Sequence, residues 1–200
     1  MIDLGSTFIA SVERDPNAVA ITFKNKKISY FDWYKKISSL TTSLKSLGLK
    51  KGDKLITLLP NNFEACTIHW ACQLTGIIIV PINWRVKSEE IIFFLKNSDS
   101  KCIIFDDYSE IEVKLSNFDQ NIIKITTSSK TSEFEKLDNL FNIHENYSKS
   151  DSNHDDCSIV LYTSGTTGKP KGVPRTHFAE RSSAVAHIAQ NKYDRYESTL

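Results

Sequence analysis

Between Tyr162 and Val173 the chain reads YTSGTTGKPKGV, which gathers three of its seven glycines, four Ser/Thr hydroxyls and two lysines into one short stretch. Phosphate binding uses that mixture. Glycine lets successive backbone N–H groups converge on an anion and lets a ligand approach the main chain, hydroxyls add donors or a metal ligand, and lysine adds point charge. The candidate contacts are Thr163, Ser164, Gly165, Thr166, Thr167, Gly168, Lys169 and Lys171. A Walker A loop is excluded. The spacing in Gly165-Thr166-Thr167-Gly168-Lys169 is wrong for it, and Pro170 follows the lysine where that motif enters a helix.

The stretch resembles the signature loop of the acyl-adenylate-forming (AMP-binding) superfamily, which includes acyl- and aryl-CoA synthetases and the adenylation domains of peptide synthetases. Further landmarks follow the same order: Ile28-Ser29-Tyr30, Leu58-Leu59-Pro60-Asn61-Asn62, GIIIVPIN from Gly76 to Asn83, Arg85, and VPRTH from Val173 to His177. The resemblance covers nearly all of residues 1–200. It implies an N-terminal part of an ATP-dependent acyl- or aryl-CoA ligase, in which a carboxylic acid reacts with ATP to give an acyl-adenylate and then a thioester with CoA. Two other readings stay open: an adenylation domain of a peptide synthetase, or a non-catalytic nucleotide-binding module derived from such an enzyme.

By the resemblance, residues 164–168 donate to the β- and γ-phosphates of ATP, Lys169 and Lys171 supply charge, and Thr163 ligates Mg²⁺ beside a glutamate with no counterpart in the chain. Arg85 matches a position that contacts the CoA phosphate in some ligases. On residue type alone, Thr163 serves equally as a strand-end hydroxyl bonded to nearby backbone. Either lysine fits a solvated loop, and Arg85 fits a surface ion pair. His177, beside a helix start, fits a capping role. No catalytic residue carries over. The expected acid-binding, ribose-binding and catalytic-lysine segments of the family are not found in the chain, which is therefore expected to be an N-terminal fragment, inactive alone, with the missing ligase segments continuing in its reading frame or separately encoded in an adjacent one.

Composition narrows the class. Forty per cent hydrophobic and 24% charged residues describe an ordinary globular chain, and a net charge of +1 supplies no general attraction to nucleic acid. Cys66, Cys72, Cys102 and Cys157 form no C-x-x-C pair, so buried reduced thiols are expected. His154-Asp155-Asp156-Cys157 offers metal-ligand types without a second cluster, which favours a solvated linker. Neither a signal peptide nor a membrane span can be drawn, and a cytoplasmic location is expected.

The elements that must position the loop alternate. Val19–Phe23 and Lys27–Ser29 form a hairpin, and Ser29 caps a helix that Gly48 closes. A strand at Lys54–Leu59, a helix at Phe63–Thr75 and a buried strand at Ile77–Val80 follow. Ser88 starts a helix to Lys96 before the strand Lys101–Phe105. A strand at Ile122–Thr126 and a short helix near Phe134–Phe141 lead to a polar surface linker at about 145–156. The strand Ser158–Tyr162 then delivers the loop, and Thr176 caps a helix to about Asn191 with Phe178, Val185 and Ile188 on one side. This alternation predicts an α/β fold, a mostly parallel sheet flanked by helices on both faces.

Overall fold

The computed structural model describes residues 2–130, 133–142, 149–164, 169–194 and 197. In chain order the elements are α1 (Leu4–Arg14), β1 (Val19–Phe23), β2 (Lys26–Ser29), α2 (Tyr30–Ser46), β3 (Lys54–Leu58), α3 (Phe63–Thr75), β4 (Ile78–Pro81), α4 (Ser88–Ser98) and β5 (Ser100–Phe105). They continue with α5 (Glu110–Leu115), β6 (Ile123–Thr126), β7 (Glu135–Lys136), a 3-10 turn at Leu137–Phe141, β8 (Cys157–Thr163), β9 (Lys171–Thr176) and α6 (His177–Asn191). Strands β1 and β2 pair as a separate hairpin. The other seven form one sheet in the order β7-β6-β5-β3-β4-β8-β9, parallel throughout except for the antiparallel β8–β9 pair.

Two cores explain the near-continuous apolar runs of the inner strands, as expected when both faces of a parallel sheet are covered. Leu55, Ile79, Cys102, Ile104 and Ile159 face one way, toward α1, α2, α3 and the 3-10 turn. Ile56, Leu58, Val80, Ile103, Phe105 and Val160 face the other, toward α4 and α5. Among the described residues no helix is long and apolar enough to cross a membrane.

Local sequence sets most boundaries. Ser29 caps α2 by accepting from the Asp32 N–H at 3.1 Å, and Asn62 caps α3 by accepting from Ala65 N–H at 2.8 Å. Gly76 closes α3 in the left-handed region at φ 72°. Several expectations are corrected. The segment near Phe134–Phe141 is not a helix but the two-residue strand β7 followed by the 3-10 turn. Helix α4 runs on to Ser98, and its cap is Lys87, whose N–H donates to Glu90 at 3.0 Å while the Ser88 N–H donates to Glu112. Helices α1 and α5 and strand β9 were not expected. Cys72 and Cys102 are buried, with their thiols pushed up by burial, but Cys66 is exposed and Cys157 only half-buried.

The polar stretch expected as a linker is described from residue 149. Ser150 and Ser152 are buried, and the Ser152 hydroxyl donates to the Gln73 carbonyl at 2.8 Å. The Asp151 N–H donates to the Leu74 carbonyl at 2.9 Å, and Lys51 pairs with Asp156 at 2.7 Å. These contacts moor the chain to the end of α3 and to the loop before β3 just ahead of β8.

Candidate phosphate-binding and CoA-binding site

Strand β8 carries the candidate loop out of the carboxyl edge of the sheet, the edge at which open α/β sheets bind ligands. Its course is held along its length. The Ser158 hydroxyl donates to Gln73 Oε1 at 2.7 Å, and the Tyr162 hydroxyl donates to Asn97 Oδ1 at 2.5 Å. The Tyr162 ring packs edge-on against Phe94 at 4.8 Å. Gly172 lies opposite Tyr162 in β9, and a Cβ there would meet Val160 at 3.0 Å and the Tyr162 ring at 3.1 Å. The glycine therefore serves side-chain packing across the hairpin.

The register places Thr163 directly opposite Lys171. A hydroxyl and an ammonium thus flank the base of the loop, and Thr163, Ser164, Lys169 and Lys171 are all exposed. Among the described residues neither lysine has a carboxylate within ion-pair distance. Gly165, Thr166, Thr167 and Gly168 lie outside the described residues. The donor set that is described, two hydroxyls with two lysines not neutralised by a carboxylate, fits an anion.

Arg85 leaves the same edge of the sheet from the neighbouring strand, since β4 and β8 run parallel with Ile79 opposite Ile159. Its backbone N–H donates to Asn83 Oδ1 at 3.0 Å in a side-chain turn. The guanidinium sits over the Trp84 ring at 4.1 Å, and Trp84 packs on Tyr108 with ring centres 5.1 Å apart. Ser109 ties the platform down by donating to the Trp84 carbonyl at 2.9 Å. Beneath it, burial holds the Asp106 carboxyl above its ordinary range, opposed by hydrogen bonds from the Ser109 and Tyr108 N–H groups. Arg85 is exposed and stacks on Trp84, and among the described residues it has no carboxylate within ion-pair distance. Trp84 and Tyr108 were not among the expected site residues. The signal available was the pair of Asx turns, Asn83-x-Arg85 and Asp106-x-Tyr108, each of which fixes a loop geometry.

His177 does cap a helix, though not its own. At the first position of α6 and almost fully buried, its Nδ1 accepts from the Leu4 N–H at 3.3 Å, at the start of α1. The His154–Asp156 run is engaged locally, His154 with Asp155 at 3.0 Å and Asp156 with Lys51 and the Asn153 N–H.

Comparison with known proteins bears on the fold and the family. The chain is 31% identical over 171 residues to the 2-succinylbenzoate–CoA ligase of Bacillus cytotoxicus, a match covering 85% of this chain and 32% of that enzyme. It thus spans about a third of the length of the curated relatives it matches. Its fold superposes with a TM-score of 0.83 on the inhibitor-bound N-terminal domain of FACL13 from Mycobacterium tuberculosis, at 25% identity over 94% of this chain and 48% of that domain. ATP-bound MatB from Rhodopseudomonas palustris shares the fold with a TM-score of 0.82 at 21% identity, covering 94% of this chain and 37% of that one. The AMP-binding enzyme family matches residues 8–200, nearly the whole sequence. These matches establish that the chain belongs to the AMP-binding enzyme family, whose relatives here are acyl- and aryl-CoA ligases.

Proposed function

We propose that the chain supplies the phosphate-binding hairpin and part of the CoA site of an ATP-dependent acyl- or aryl-CoA ligase. The observation that carries this is the pairing of Thr163 with Lys171 at the mouth of a glycine- and hydroxyl-rich loop, with Lys169 and Lys171 free of any carboxylate among the described residues. In the reaction, a carboxylate oxygen attacks the α-phosphorus of ATP and the bond to pyrophosphate breaks. The CoA sulfur then attacks the acyl carbon, and AMP departs with the bonding electrons. Such chemistry depends on positioning and charge neutralisation.

Lys169 and Lys171 hold the charge of the leaving pyrophosphate, and Ser164 with residues 165–168 donates to its oxygens. Thr163 is the residue that would hold Mg²⁺, which supplies further neutralisation there. Arg85, splayed on Trp84, offers a fork of donors to the CoA phosphate. Carboxylic acid, ATP and CoA are accordingly the small-molecule partners, the remaining segments of the ligase come from the part of the relatives' length this chain does not span, and the cytoplasm, where ATP and CoA are available, is the proposed location.

The test is equilibrium binding of ATP with Mg²⁺ to the chain, followed by titration calorimetry. Lys171→Ala should weaken binding by roughly ten- to a hundredfold, the effect of losing a charge-assisted hydrogen bond of about 1.5 to 3 kcal/mol. Lys149→Ala, within the polar stretch, should leave it unchanged. Equal affinity in the two variants would remove Lys171 from the site, and absence of saturable ATP binding would refute the reading.

A further inference from the structure

Hairpin β8–β9 outruns the sheet that carries it. Strand β8 has one register pair with β4, Ile79 opposite Ile159, and from Val160 onward its partners all lie in β9. The final cross-strand pairs before the loop, Tyr162–Gly172 and Thr163–Lys171, therefore stand on a two-stranded ribbon. Such a ribbon is marginal by itself and free to twist. Among the described residues, one side-chain hydrogen bond ties these pairs to the rest of the fold: the Tyr162 hydroxyl donates to Asn97 Oδ1 at 2.5 Å. Asn97 is an exposed residue in the last turn of α4, 65 residues away in the chain. The Tyr162 ring is positioned from both sides. Phe94, one turn earlier in α4, meets it edge-on with ring centres 4.8 Å apart, and Gly172 leaves open the space the ring takes across the hairpin.

We propose that Asn97 is a positioning residue for the candidate phosphate site, acting through Tyr162 on the twist of the ribbon and so on the aim of the Thr163 hydroxyl and the Lys171 ammonium. Strand alternation gives the reason. Tyr162 packs with Val160 against the α4 side of the sheet, so Thr163 and its partner Lys171 stand on the other face, one residue along. Turning the ring turns the ribbon under both groups. Donors already fixed by the fold bind an anion more tightly than donors that must be ordered on binding, because the entropy of ordering them is not lost at that moment. Asn97 itself touches no anion in this arrangement. The choice of ATP as probe rests on the ligase reading above; the latch between α4 and the hairpin does not.

The test uses the 200-residue chain with two readouts, calorimetric affinity for ATP with Mg²⁺ and amide exchange along the hairpin. Asn97→Ala removes the acceptor and Tyr162→Phe the donor. Each should weaken ATP binding by roughly three- to tenfold, the effect of losing one neutral hydrogen bond. The double variant should lose no more than either single one, since the two residues act through a single bond. Asn97→Asp keeps an accepting oxygen and should bind as the wild type does. Exchange should quicken at Tyr162, Thr163, Lys171 and Gly172 in Asn97→Ala and stay unchanged in α3 and β5, with the urea midpoint close to wild type because Asn97 is exposed. Asn139→Ala, which removes an exposed contact with Glu135, should move neither readout. Additive losses, no rescue by aspartate, or a loss of affinity that follows a fall in the urea midpoint would each overturn the proposal. The two readouts also separate it from the ligase reading. A wild-type chain that binds no ATP, with exchange still quickened in the ribbon alone, refutes the ligase reading and supports the latch; ATP binding and ribbon exchange that ignore both substitutions refute the latch alone.

Discussion

At the scale of single residues, close approach decides more than charge does. Gly5 sits in the first turn of α1, where a Cβ would meet the Ser150 hydroxyl at 2.6 Å and the Gln73 carbonyl oxygen at 2.8 Å. Alanine is the better helix former by about 1 kcal/mol, yet the overlap is with backbone at the end of a buried helix, which cannot swing aside. Gly5→Ala is therefore expected to destabilise the chain by about 1 to 3 kcal/mol, measured by urea unfolding. Adding Ser150→Ala removes the hydroxyl but not the carbonyl, so the double variant should not recover. Full recovery would show that only the flexible contact mattered. The same reasoning explains Gly172, which is demanded by the Tyr162 ring across the hairpin, whereas Thr163 and Lys171 owe their pairing to strand register alone.

At the scale of elements, capping sets where helices begin and burial sets what that is worth. Helix α3 buries Phe63, Thr67, Ile68, Ala71, Cys72 and Leu74. Its start depends on the Asn62 side chain, which accepts from Ala65 N–H at 2.8 Å. Asn62→Ala should cost about 1 kcal/mol, and Asn62→Gly only a few tenths, since glycine leaves the end open to water. Denaturant midpoints of the two variants check this ordering. Equal losses would mean that the residue acts by packing. The corresponding cap on α6, Thr176 accepting from Ala179 N–H at 3.1 Å, is expected to matter less to global stability because the helix beyond it is exposed.

At the scale of the whole molecule, two histidines tie distant parts together and give stability a pH dependence. Burial pushes His69 down to about 4, with attraction to Glu180 opposing and repulsion from His177 assisting. Burial lowers His177 as well, against Asp3 and Asp156 and with Lys51. Both are neutral in the native state, and His177 must be so for Nδ1 to accept from Leu4. The unfolded chain takes up protons near pH 6.5, so it binds more protons than the native state just below that pH. Stability contributed by these groups is therefore full above about pH 6.5 and falls as the pH drops toward about 4. Urea midpoints should decline from pH 7.5 to pH 5, and His69→Phe should flatten that decline. An unchanged slope in the variant would place the pH dependence elsewhere. Protonation of His177 would also release the start of α1 from α6, seen as faster amide exchange at Leu4.

What the amino-acid sequence determines here is what neighbouring residues can decide between them. Its strand and helix alternation, the caps at Ser29 and Thr176, the stop at Gly76 and the composition of the candidate loop all act within a few residues, and all were legible, as was the family. Helix α1 was legible too, from Asp3 accepting at Ser6 and from Phe8, Ile9 and Val12 at helical spacing, but it went unread. The short strand β7 was not, because two residues carry no periodicity. Tertiary structure alone decided the rest. The Leu4–His177 bond spans 173 residues, Ser152 reaches back to Gln73, and Arg85 is steadied by Tyr108 through Trp84. Periodicity showed that Phe178, Val185 and Ile188 share a side of α6. It carries no information on whether anything covers that side, because coverage depends on atoms distant in the chain or outside it.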